Sequence, residues 1–122
     1  MIIYKIYLND EDLREGTPYL VLALLNEAAN EDFVEFMQNL IDGIGSGYNY
    51  TSCYFWEELD DFDRENIPQF EGLGIESENG DVITVSFYEL IYYMRMLCER
   101  IQTKDRDVIS NLIDEFSEKY DL

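Results

Sequence analysis

The stretch "DGIGSGYNY", residues 42–50, decides how the chain divides. Ahead of it apolar residues recur with a helical period, and behind it they alternate. Gly43, Gly45 and Gly47 fall at every second position, a spacing that raises the question of a phosphate cradle. A dinucleotide fingerprint needs a strand before the glycines and a helix after them, so that phosphate meets a helix N-terminus. Here the order is reversed, and the dipole of a helix C-terminus repels phosphate. No Gly-Lys-Ser or Gly-Lys-Thr follows. The run therefore reads as a joint. Gly43 stops a helix, while Gly45 and Gly47 allow a tight reversal that aims Tyr48, Tyr50 and the next strand toward an acidic segment.

Upstream of the joint, Phe33, Phe36, Met37, Leu40, Ile41 and Ile44 follow the i, i+3, i+4, i+7 pattern of an amphipathic helix. Asn30 is its expected N-cap, with Glu31 and Asp32 in the first turn, where negative charge is favourable. An earlier helix is expected from Thr17 as N-cap and Pro18 as first helical residue. Leu20, Leu24 and Ala28 recur at helical spacing there, but the other faces are apolar too, so this helix should be largely buried. "MIIYKIYL", residues 1–8, reads as a short strand ended by the polar break "NDEDLREG".

Downstream, "YNYTSCYFW" places Tyr48, Tyr50, Ser52, Tyr54 and Trp56 on one face of a strand, with Asn49, Thr51, Cys53 and Phe55 on the other. "EELDDFDRE" breaks the alternation and reads as a loop or a short exposed helical turn. "QFEGLGIES" and "DVITVSF" flank Glu78-Asn79-Gly80, a hairpin signal. Ser86 and Glu89 form a capping-box pattern for a helix whose core face is Leu90, Ile91, Met94, Leu97, Cys98 and Ile101. Tyr88, Tyr92 and Tyr93 lie off that face. A last helix begins near Asp105, with Ile109, Leu112, Ile113, Phe116 and Tyr120 as its stripe. The whole predicts an α+β fold: N-terminal helices, a small antiparallel sheet of about three strands with an Asn-Gly hairpin, and two C-terminal helices. With no internal repeat, residues 1–122 read as one domain.

The charge balance is extreme, with 27 acidic residues, 8 basic residues and no histidine, a net charge of −19. Direct nucleic-acid binding is excluded, because phosphate recognition needs Lys and Arg. An ordinary zinc site is excluded by the lack of His and the separation of Cys53 and Cys98. Both cysteines sit in apolar stretches and read as buried free thiols. Asp61, Asp63 and Glu65 faintly resemble a calcium loop, but its sixth position is Asn66 and its twelfth Gly72, so an EF-hand is rejected. Neither cysteine has a histidine to activate it. Abundant carboxylates make chance pairs uninformative, so no enzyme and no cofactor is expected. The N-terminus has no basic n-region, and no stretch has the ~20 apolar residues of a membrane span. The expected location is cytoplasmic.

What remains is a surface. "EELDDFDRE" concentrates negative charge beside aromatic residues. The candidate partner-binding set is Trp56, Glu57, Glu58, Asp60, Asp61, Phe62 and Asp63. Aromatics supply buried interface energy, and charges supply on-rate and partner choice. A solvated loop of no further role is the alternative reading of the same residues.

An ordered series of segments resembles a known family. "EDFVEFMQNLIDGIGSGYNY" ends in the glycines; "CYFW" and an acidic stretch follow. Phe70-Glu71-Gly72, a hairpin, "ITVSFYEL" and a helix containing Leu97–Arg100 "LCER" come next, and a final acidic helix closes the chain. Over roughly residues 31–120 this order is similar to the immunity proteins of bacterial contact-dependent growth inhibition systems that protect against ribonuclease toxins. The resemblance implies a small cytoplasmic protein, not an enzyme, that binds and blocks one cognate toxin domain. That domain would be the C-terminal part of a large secreted or surface toxin. A ribonuclease must attract RNA, so its cleft is expected to be basic. Two other classes stay open: an acidic nucleic-acid mimic that inhibits a DNA-binding enzyme, and a small regulatory interaction domain.

Overall fold

In the computed structural model, residues 4–101 and 104–122 are described. The first helix, α1 (Leu20–Glu31), starts later than its sequence signals suggest. Thr17 and Pro18 precede it, and Tyr19 occupies the N-cap position without a side-chain bond. The Thr17 hydroxyl instead donates to Glu89 at 3.1 Å. The second helix, α2 (Phe33–Ile41), is capped by Asp32, whose side chain accepts the Glu35 N–H. Asn30 belongs to α1 and is occupied elsewhere, which displaces the expected cap by two residues.

The end of α2 follows the glycine signal. Gly43 has φ +74°, its N–H donates to the Leu40 carbonyl, and the Ile44 N–H reaches back to Asn39. This pair of reverse bonds satisfies the last carbonyls of the helix, and the positive φ is one that glycine adopts without a Cβ penalty. Ile44, placed by periodicity on the apolar stripe, lies past this stop and is exposed.

As expected, the sheet is small and antiparallel, with four strands among the described residues where about three are expected: β1 (Ser46–Gly47), β2 (Thr51–Tyr54), β3 (Leu73–Ser77) and β4 (Val82–Val85), in that order. The extra strand is only two residues long and comes from the glycine run itself. Cys53 stands opposite Ile75, and Ile75 opposite Ile83. Thr51, Cys53, Leu73, Ile75 and Val85 are buried, as the period of two requires when one sheet face meets a core. The β3–β4 turn is a three-residue loop closed by the Gly80 N–H on the Ser77 carbonyl.

Helix α1 packs on β2 and β3 and also touches α2 and α4 (Phe87–Arg100), while α5 (Arg106–Lys119) packs against α2 and α4. Lying between the sheet and the other helices, α1 buries Val21, Leu22, Leu24, Leu25 and Ala28. Each large aliphatic side chain buried this way contributes roughly 1.5–3 kcal/mol. The Ser86 hydroxyl caps α4 by accepting the Glu89 N–H, but the Glu89 carboxylate does not complete the box. It turns to Arg14 and Thr17. Tyr93 is completely buried, against the expectation that it lies off the core face, and its hydroxyl accepts the Arg14 N–H at 2.8 Å. Tyr88 and Tyr92 are exposed.

The expected N-terminal strand is not formed over residues 4–8, and residues 1–3 of that expectation lie outside the described residues. Two asparagines of α1 take the place of a neighbouring strand. Asn26 accepts from the N–H groups of Tyr7 and Leu8 and donates to the Leu8 carbonyl at 2.8 Å. One turn later, Asn30 bonds both the N–H and the carbonyl of Lys5. The segment's polar backbone is satisfied by side chains, so no sheet ladder is required.

Candidate functional site

The acidic segment after β2 folds into two short helical pieces, a 3-10 turn at Trp56–Glu58 and α3 (Asp61–Asn66). Asp60 caps α3 by accepting the Asp63 N–H at 2.8 Å, and Asp61 and Asp63 lie in its first turn, where the dipole favours them. Asp61, Asp63 and Glu65 thus sit on a helix, a geometry that cannot wrap a cation as a calcium loop does.

Glu58 holds the segment in place. One carboxylate oxygen accepts from Gly45 at 2.8 Å and from Phe55 at 2.9 Å, joining the glycine run to the end of β2. This explains Gly45: a Cβ there would lie 2.0 Å from the Cys53 carbonyl oxygen. Arg64 donates to the Glu57 carbonyl at 2.8 Å, and its guanidinium lies 5.9 Å from the centre of the Trp56 ring. Trp56 also meets Phe70 edge-on at 5.9 Å, and Phe70 meets Tyr54 at 5.8 Å. Trp56 is consequently half-buried, whereas Phe62 is 72% exposed. Glu57, Asp60 and Asp61 are exposed.

The candidate residues are therefore brought together, but in different states. Glu57, Asp60, Asp61, Phe62 and Asp63 form an acidic ridge with one projecting ring. Trp56 is its partly covered base, and Glu58 is its tether. Tyr48, expected to be aimed at this segment, packs instead on Phe36 of α2 at 6.3 Å. The Tyr50 N–H and the Thr51 hydroxyl are tied to buried Glu27, the latter at 2.6 Å. The sequence signal for Asn26 and Glu27 is two adjacent polar residues set between the apolar runs of α1.

Basic residues are largely spent inside the molecule. Arg14 pairs with Glu89, Arg95 with Asp114, and Arg100 with Asp12 through both nitrogens, at 2.7 and 2.8 Å. Arg106 donates to the Ile101 carbonyl, and Lys119 to the Ile41 carbonyl. Their use as fasteners leaves the acidic excess unopposed on the surface. Beside the glycine run, a depression of about 610 Å³ is lined by Glu31, Asp32 and Glu35, charges that would repel a phosphate.

Cys53 and Cys98 are buried and free. Burial pushes the Cys53 thiol up to about 12 and raises Cys98 as well, so neither tends toward thiolate. Among the described residues no group of three or more His, Cys, Asp or Glu is arranged to hold a metal ion. Among the same residues no helix is long and apolar enough to cross a membrane.

A protein-family model described as CDI immunity protein, where CDI is contact-dependent growth inhibition, matches residues 17–117. No curated protein matches the chain.

Proposed function

The chain belongs to the CDI immunity protein family, and on that premise we propose that it binds and neutralises a cognate ribonuclease toxin domain. It acts as an inhibitor, without chemistry of its own. The observation that carries the reading is the acidic ridge Glu57, Asp60, Asp61 and Asp63 around Phe62, on a molecule of net charge −19. A ribonuclease presents a basic cleft to RNA. Long-range attraction between the two surfaces would accelerate encounter, and burial of the exposed Phe62 ring would then hold the complex. Trp56 supports the ridge and Glu58 fixes its position, so both serve the interface from beneath. Binding in the cytoplasm of the protected cell is part of the same proposal.

Salt and charge reversal test it together. Association with the toxin domain encoded beside the gene should slow at least about tenfold between low and high ionic strength, because screening shortens the reach of the field. The double change Glu57→Lys and Asp61→Lys should slow association by a similar factor at low salt and abolish protection of cells that express the toxin domain. Rates indifferent to ionic strength would sink electrostatic steering. Intact protection after charge reversal would remove the ridge as the binding surface.

A further inference from the structure

Beside the acidic ridge lies a cleft of about 760 Å³, set between the turn at Gly72, the start of α4 and the end of α5. Asp42, Glu57, Glu71 and Asp121 line it, and among the described residues no Lys or Arg lines it, although the Lys119 ammonium, which donates to the Ile41 carbonyl, lies 5.7 Å from the centre of the Tyr120 ring. Aromatic rings form much of the remaining wall, beside Gln69, Ser86 and Leu122. Phe87 packs against Tyr120 at 4.7 Å, and Phe55 stacks on Tyr120 at 6.4 Å with the planes 15° apart. Phe70 and Tyr88 complete the aromatic part of the wall, and Tyr88 is 67% exposed. Glu57 and Tyr120 line the same cleft, and burial first, with the charge of Glu57 second, raises the Tyr120 phenol above its ordinary value.

Ring faces and carboxylates together select a cation that is flat and weakly hydrated. An apolar occupant would cover the carboxylates without pairing them, which is costly. An anion would be repelled. An ammonium is a strongly hydrated point charge, whereas a guanidinium stacks on aromatic faces and forks to carboxylates. We infer that this cleft receives an arginine side chain of the toxin domain, its guanidinium stacked on the aromatic wall and paired with the rim carboxylates. The inference rests on the toxin-binding reading and adds to it a second contact region that adjoins the acidic ridge and shares Glu57 with it.

Tyr88→Ala and Glu71→Gln change exposed side chains and leave the core untouched. Each should weaken binding to the purified toxin domain about tenfold with unchanged unfolding curves. Separately, the peptide acetyl-Gly-Arg-Gly-amide at millimolar concentration should shift the amide resonances of Phe87, Tyr88 and Tyr120, and its lysine counterpart should shift them less. Undiminished toxin binding by both variants overturns the cleft and leaves the toxin reading standing. If the unaltered protein fails to bind the toxin domain, that reading falls and the peptides decide the cleft alone. Shifts confined to the cleft then retain it as an arginine site. Shifts spread over the acidic surface, equal shifts for lysine, or none overturn it.

Discussion

Gly45 shows how much one atom can matter. Its backbone passes so close to β2 that a methyl group would sit 2.0 Å from the Cys53 carbonyl oxygen, and backbone cannot yield as a flexible side chain can. Gly45→Ala should therefore cost about 3 kcal/mol in urea unfolding, in the range of a severe overpacking error. Gly47→Ala should cost less than about 1 kcal/mol, since its Cβ would meet only Ser52 at 4.0 Å. Equal losses at the two positions would contradict this account. The sequence presents the two glycines as equivalent, because spacing alone cannot tell which one approaches another strand. The same holds for Glu58. It is one acid among many in "EELDDFDRE", yet its carboxylate is the one that joins Gly45 to Phe55 among the described residues.

At the scale of elements, α1 carries the most information that its apolar pattern conceals. Asn26 does the work of a neighbouring strand for residues 7 and 8, making three bonds from one amide. Asn26→Ala should cost about 2–3 kcal/mol, because the change leaves buried backbone groups unpaired. Hydrogen exchange at the Tyr7 and Leu8 amides should accelerate well beyond the global loss of stability, and exchange unchanged at those two amides would disprove the role. Helices α2, α4 and α5 were legible because their apolar stripes have the helical period and their ends carry local signals. The missing strand at residues 4–8 was not legible. Its apolar and β-rich composition suits a sheet edge, but a side-chain amide offers the same hydrogen bonds as a strand, and residue spacing does not separate the two.

At the scale of the whole molecule, the few cations act as staples across long sequence separations. Arg100 at the end of α4 clamps Asp12 through two bonds and also donates to the Tyr7 carbonyl. The guanidinium bonds, and then the bond from the Asn9 N–H, hold the Asp12 carboxyl down at about 2, against an ordinary 3.8. A carboxyl with a depressed folded value contributes stability fully above its unfolded value and loses it as pH falls through the folded one. Asp12→Asn should thus lower the thermal midpoint by a few degrees at neutral pH. The gap from the unaltered protein should close as pH falls from 3.8 toward about 2. A gap constant down to about pH 2 would show that the pair contributes through shape rather than charge.

The α+β class, the helix stop at Gly43, the β3–β4 hairpin and the family are legible along the chain, because periodicity, caps and turn residues are local and their order is linear. So is the acidity, which is a sum over residues. Folding in three dimensions makes Tyr93 core, turns Tyr48 to α2, makes Glu58 a tether and sets the acidic ridge beside a cleft with aromatic walls. Phe55, Phe70, Phe87 and Tyr120 are contributed by segments that meet only after folding. Which carboxylates pair internally and which remain free for a partner depends on distances across the fold, and linear spacing carries no measure of them.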